Sequence, residues 1–214
     1  MEVIPAGQYR EWYEKSRLVP YLAAYIRLPA PLVMGVRHVQ DELRDTDSRQ
    51  IYCPESSLHI TVKEFGWLGE DVKAEGMSKV IEIVRRVASK CKPFEIGIDG
   101  VGIFPTAIYG AVGKGADEIR GLNMSLVREL GDSVVESEYD GVAMKPHATM
   151  LLFATQDVEP LLRKATSMAT RFIGETAVDE VQVVKWYPHR LFESAGEQET
   201  VSELVATFKF EGRN

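Results

Sequence analysis

Two histidines in this chain each stand two residues before a threonine: His59-Ile60-Thr61 and His147-Ala148-Thr149. Each triplet sits in an apolar run, SSLHITVKEFGWLG and MKPHATMLLFA, with the length and branching of a buried strand. Residues two apart on a strand point the same way, so each imidazole is expected beside its threonine. Ile60, Val62, Ala148 and Met150 then fall on the opposite, helix-covered face. Such a set can do acid–base work on a phosphodiester. A histidine, with an unperturbed pKa of about 6.5, is a base when neutral and an acid when protonated. One ring would take a proton from water while the other supplies the leaving group. The threonine hydroxyls would donate to the non-bridging phosphoryl oxygens, where charge is greatest in the transition state.

With four histidines in the chain, two His-x-Ser/Thr triplets arise by chance in roughly one such sequence in twenty. The shared strand context therefore carries more weight than the spacing. Taken singly, each triplet reads as a strand histidine satisfied in a polar crevice, its threonine present for strand propensity. His38, beside a helical stripe, and His189, after Pro188, are expected at the surface. There is no H-E-x-x-H or C-x-x-C, Cys53 and Cys91 fit no metal spacing, and threonine is not a usual zinc ligand. No metal and no other cofactor is expected. Gly110 to Gly115, GAVGKG, imitates a phosphate loop, but Gly115 stands where that loop needs Ser or Thr, so a turn is expected.

Other residues join by position. Lys63 lies four after His59, on the same strand face, and Lys145 lies two before His147. Either could bring positive charge to the phosphate. Phe65 shares that alternation, and Tyr25 shares a strand face with Tyr21 and Arg27; each is either a base-stacking surface or core.

Four stripes at helical spacing supply the scaffold: Leu32, Val36, Val39 and Leu43; Met77, Val80, Ile81, Val84 and Val87; Ile119, Leu122, Leu126 and Leu130, ended by Gly131; and Leu161, Ala165, Met168 and Phe172, ended by Gly174. Strand-like runs lie between them at 21–28, 58–65, 94–98, 108–112, 146–153, 178–186 and 204–210. The step from 94–98 to 108–112 lacks the helical crossover that parallel pairing requires. The expected class is α+β with mainly antiparallel sheets and helices outside. A helix before and after each His-x-Thr strand hints at two similar lobes facing across a cleft.

Composition narrows the partners. At 214 residues, 45% hydrophobic and 27% charged, the chain is an ordinary globular protein. A net charge of −7 disfavours a long grip on nucleic-acid phosphates, so a nucleotide or chain end is the expected partner. Residues 18–36 carry only Arg27 as a charge, but Pro20, Pro29 and Pro31 interrupt them, which argues against a membrane span. The N-terminus lacks the apolar stretch of a signal peptide, and cytoplasmic residence is expected.

The sequence resembles the 2H phosphoesterases, most closely the branch named for 2′-5′ RNA ligase and RNA 2′,3′-cyclic phosphodiesterase. Residues 21–29 are similar to its opening strand, leading to a helix at 31–44. SSLHITVKEFGWLG and KPHATMLLF are similar to its two motif strands, and PFEIGIDGVGIFP to the stretch after its second helix. The resemblance implies two pseudo-symmetric α+β lobes around a central cleft, in one bilobal domain at 18–214 with residues 1–17 as an addition. It implies metal-independent hydrolysis of a 2′,3′-cyclic phosphate, on an RNA end or small nucleotide, with the same roles for His59, His147, Thr61 and Thr149. The same groups could serve 2′-5′ ligation, or a nucleotide- or RNA-binding module without turnover. One departure is the ending, KWYPHRLFESAGEQET, where the family has a strand and a serine-containing turn; it bears on substrate preference more than on catalysis.

Overall fold

The computed structural model describes residues 2–131, 134, 137, 140–193 and 201–212, the side chains of 74, 75 and 193 excepted. Its strands are β1 (Tyr21–Arg27), β2 (Ile51–Tyr52), β3 (His59–Trp67), β4 (Phe94–Ile103), β5 (Ala107–Val112), β6 (His147–Leu152), β7 (Gly174–Val178), β8 (Glu180–Trp186) and β9 (Ser202–Lys209). Its helices are α1 (Arg10–Leu18), α2 (Ala30–Thr46), α3 (Ala74–Ala88), α4 (Ala116–Leu130), α5 (Glu159–Ser167) and the short α6 (Arg190–Glu193). The strands form one sheet in the order β7-β4-β5-β6-β3-β1-β8-β9, with β2 also on β6. Neighbours along it run antiparallel.

The sheet has two four-stranded halves, β7-β4-β5-β6 and β3-β1-β8-β9, joined through the ladder pair Ile60↔Ala148. The same chain order builds each: β1-α2-β3-α3, then β5-α4-β6-α5. The helices cross over. α2 and α5 pack on β7, β4 and β6, whereas α3 and α4 pack on β3, β8 and β9. Neither half is thus a continuous stretch of chain, and both share one apolar core.

Three of the four helical stripes lie as their spacing predicts. α2 starts after Pro29 with Pro31 in its first turn, and buries Leu32, Val36, Val39 and Leu43. α4 buries Ile119, Leu122, Leu126 and Leu130 and stops at Gly131, whose φ of 49° a side chain would resist. The fourth stripe was expected to run on to Gly174, but α5 ends at Ser167 and Phe172 is exposed. The Thr166 and Ser167 hydroxyls bond back to the Leu162 and Lys164 carbonyls, and such bonding weakens a helix end. The expected strand at 178–186 is β8 from Glu180 onward, and an additional strand, β7, precedes it across Asp179 and lies on the other half.

The segment before β1 is tied into the fold. Ile4 N–H donates to the Pro105 carbonyl at 2.8 Å and Ala6 N–H to that of Phe153 at 2.7 Å. Trp12 of α1 packs on Trp67 and Trp186, with ring centroids 5.6 and 5.4 Å away. Residues 18–36 form the end of α1, β1 and the start of α2, and no described helix is long and apolar enough to cross a membrane.

Candidate active site

The seam between the halves brings the two triplets together. With Ile60 paired antiparallel to Ala148, one step along each strand brings His59 towards Thr149 and Thr61 towards His147. Ile60 and Ala148 are fully buried beneath, while the four polar residues are half-buried on the opposite face. A local two-fold relation about this pair thus turns the two triplets towards each other.

Both rings are held alike. His59 Nδ1 lies 2.6 Å from the Ser57 carbonyl oxygen, and His147 Nδ1 lies 2.7 Å from that of Lys145. A carbonyl only accepts, so each Nδ1 carries the hydrogen and each Nε2 is left for chemistry. Aromatic rings fix the remaining freedom. Tyr25 stacks on His59 at 4.4 Å, its hydroxyl within 2.6 Å of Ser202 Oγ. Phe104 and Tyr109 meet His147 edge-on at 4.9 and 5.3 Å. Gly102 makes room for that wall, since a Cβ there would fall 2.2 Å from a Tyr109 ring atom. Among the described residues, no protein group is hydrogen-bonded to the hydroxyl of Thr61 or Thr149.

Burial disfavours the imidazolium at both positions. His59 is pushed down to about 4, with the charges of His147 and neighbouring Arg27 acting the same way and the Ser57 bond opposing. Burial lowers His147 as well, against its bond to Lys145. Arg27 is paired with His59 across β1 and β3. Among the described residues, no three His, Cys, Asp or Glu side chains gather where a metal would sit.

The resemblance implies two lobes whose motif strands line a central cleft, and here those two strands adjoin at Ile60 and Ala148. The model of the 2′-5′ RNA ligase superfamily matches residues 29–190, spanning both triplets and most of the chain. The chain belongs to this superfamily.

The chain is also similar to a curated protein over part of its length and, in fold, to solved structures. The RNA 2′,3′-cyclic phosphodiesterase of Methanothermobacter thermautotrophicus is 34% identical over 74 residues, covering 35% of this chain and 38% of that protein. The match therefore spans well under half of the curated relative. The crystal structure of TT0787 of Thermus thermophilus superposes with a TM-score of 0.68 at 17% identity, over 91% of this chain and all of that one. Escherichia coli LigT, crystallised with 3′-AMP, gives a TM-score of 0.64 at 16% identity over 90% and 98% of the two chains.

Not every expected site residue of this superfamily member reaches the seam. The β1–β3 pairing slips twice, so Tyr25 faces Thr61, Ala24 faces Lys63 and Ala23 faces Glu64. Each slip lets an extra β3 residue bulge and reverses the alternation. Lys63 therefore does not share the His59 face. It is 2% exposed, and its Nζ lies 2.6 Å from Asp140, which also accepts from Asn123 of α4. Phe65 is fully buried in the core and is not a base-stacking wall. Tyr25 is 3% exposed and supports His59 rather than presenting a free ring face. Lys145 contributes its carbonyl to His147, and its side chain is exposed.

The same slip turns Glu64 onto the face of Thr61, where Tyr21 O–H lies 3.4 Å from its Oε2. Neither Glu64 nor the two aromatic supports Phe104 and Tyr109 was singled out from sequence. The Gly-rich stretch around Gly102, which admits the Tyr109 ring, was the available signal.

Proposed function

We propose that the chain hydrolyses a 2′,3′-cyclic phosphodiester, on an RNA end or a small nucleotide, without a metal. The observation that carries this reading is the antiparallel pairing of Ile60 with Ala148, which sets the two triplets on neighbouring strands with their polar residues on one face. The named function of the archaeal relative and the nucleotide in E. coli LigT support the substrate class. Thr61 and Thr149 donate to the non-bridging oxygens. His59 Nε2 takes a proton from water as the water oxygen bonds to phosphorus. His147 gives its Nε2 proton to the ribose oxygen as the P–O bond breaks, leaving a phosphomonoester. His59 is assigned the base because it is the harder ring to protonate, beside Arg27. The superfamily's description also admits the reverse reaction, 2′-5′ joining of two ends.

A substrate panel in EDTA tests the reading. Purified protein is offered a 2′,3′-cyclic nucleotide, an oligonucleotide ending in one, and that oligonucleotide with a 5′-hydroxyl acceptor. Monoester product from either of the first two is expected; folded protein that turns over neither would overturn the proposal.

Changing Thr61 or Thr149 to valine keeps shape and removes the donor. Each is expected to lower kcat/KM by roughly 10²-fold, the scale for one lost oxyanion donor, with little change in thermal midpoint. An effect under about threefold would remove the hydroxyl from the mechanism.

The acid–base assignment also fixes a pH profile. Activity in kcat/KM needs His59 neutral and His147 protonated in the free protein. Both pKa values lie below the ordinary 6.5, with His59 near 4, so kcat/KM should peak on the acid side of 6.5. A bound phosphodiester anion favours the imidazolium, so kcat should peak at higher pH than kcat/KM. A kcat/KM maximum above pH 7.5 would contradict the assignment.

A further inference from the structure

The cleft floor continues past the triplets along β3 to Glu64 and then Trp67. Glu64 lies level with Ala23, two β1 residues beyond the Tyr25 that faces Thr61. That is about 7 Å along the strand at about 3.4 Å per residue. Among the described residues, its one hydrogen-bond partner is the Tyr21 hydroxyl on Oε2. Oε1 is not a sealed, unsatisfied atom, since the described residues include none of that kind. A carboxylate so near the phosphate site would repel a second phosphate, so it faces an uncharged part of the substrate.

Aromatic rings cluster around Tyr21, whose hydroxyl meets Glu64. Tyr21 meets Trp67 edge-on at 5.0 Å, and Trp186 stands 6.5 Å from Tyr21 and 6.3 Å from His59, alongside the strip between them. Trp12 of α1 closes the far end by packing on Trp67 and Trp186. Trp12, Tyr21 and Trp186 are only half-buried, so they keep surface on which a base can stack. A group seated here lies at the end of the floor, walled off by α1, which suits a terminal base better than a continuing chain.

Resting on the nucleotide reading above, we propose that this end of the cleft is a base subsite selective for guanine, read by Glu64. A carboxylate accepts only, and guanine alone among the four bases offers two adjacent donors, N1–H and N2–H, on one edge. Adenine and cytosine place one amino group beside a ring acceptor that the carboxylate repels, and uracil's N3–H stands between two carbonyls. Burial also holds the Glu64 carboxyl above the usual range, with Lys63 behind it opposing that shift, so it gains more from donors than a solvated acid would.

The test compares 2′,3′-cyclic GMP with 2′,3′-cyclic AMP as substrates, and 3′-GMP with 3′-AMP as ligands followed by tryptophan fluorescence. Wild-type protein should prefer the guanine member of each pair by roughly tenfold or more, the scale of one good bidentate contact. Glu64→Gln should bring both ratios towards one. A wild-type guanine preference under about twofold in both pairs overturns the proposal, as does a preference that Glu64→Gln leaves intact. The ligand arm needs no turnover. Protein that hydrolyses neither cyclic nucleotide but binds 3′-GMP selectively through Glu64 would sink the phosphodiesterase reading and keep the guanine subsite. Hydrolysis without base preference would do the reverse.

Discussion

Replacing His59 or His147 by alanine should each lower kcat/KM for a 2′,3′-cyclic nucleotide by roughly 10³–10⁴-fold, the upper part of the range for one general acid or base. The reason is geometric. Each ring is held by a carbonyl on Nδ1, through Ser57 for His59 and Lys145 for His147, so only Nε2 is left for the proposed acid–base step. No other imidazole lies on those strands to replace it. Both side chains are half-buried on the cleft face rather than in the core. The variants should therefore stay folded, with a thermal midpoint lowered by only a few degrees for the lost ring contacts. Loss of activity together with loss of the folded signal would instead mark a structural role. Retention of more than about a tenth of the activity would remove that histidine from the chemistry.

The second large effect is on stability, behind the site. Asp140 accepts at once from Lys63 Nζ at 2.6 Å, Asn123 Nδ2 at 2.8 Å and the Ser137 backbone N–H at 3.0 Å. Lys63 and Asp140 side chains are 1% and 10% exposed, so water does little to replace these bonds. Asn123 also donates to the Val62 carbonyl, tying the network to the strand that carries His59 and Thr61. Asp140→Ala should cost about 3–5 kcal/mol, as expected when one partner of a buried ion pair is removed. Lys63→Met should cost less, because Asp140 keeps its other two donors. Adding Lys63→Met to Asp140→Ala should recover part of the loss by removing the buried ammonium. Urea unfolding of the three variants checks this. A loss of less than about 1 kcal/mol for Asp140→Ala would show that the network carries little of the fold's stability.

Much of this was legible from spacing. The stripes of α2 and α4 face the core as periodicity requires, because a helix has one pitch and a stripe can mean one face. The His-x-Thr triplets are short enough that two-residue alternation survives within each. It fails three or four residues later, where the β1–β3 register slips, and this is why Lys63 and Phe65 leave the expected face while Glu64 enters it. A bulge depends on the partner strand, and β1 is far away in sequence. β7, with the residues GETAV, lacks the apolar alternation of its neighbours and pairs with β4 at one sheet edge. α1 was missed although Trp12, Tyr13 and Ser16 share a side. Its packing on Trp67 and Trp186 is what stabilises so short a helix.

The most direct measurement compares kcat/KM of wild type, His59→Ala, His147→Ala and the double variant on one 2′,3′-cyclic nucleotide in EDTA. If both imidazoles act on the same phosphorus in one step, the double variant should be at most about tenfold slower than the slower single variant. Losses that multiply across the two substitutions, or a wild type with no activity to lose, would contradict it.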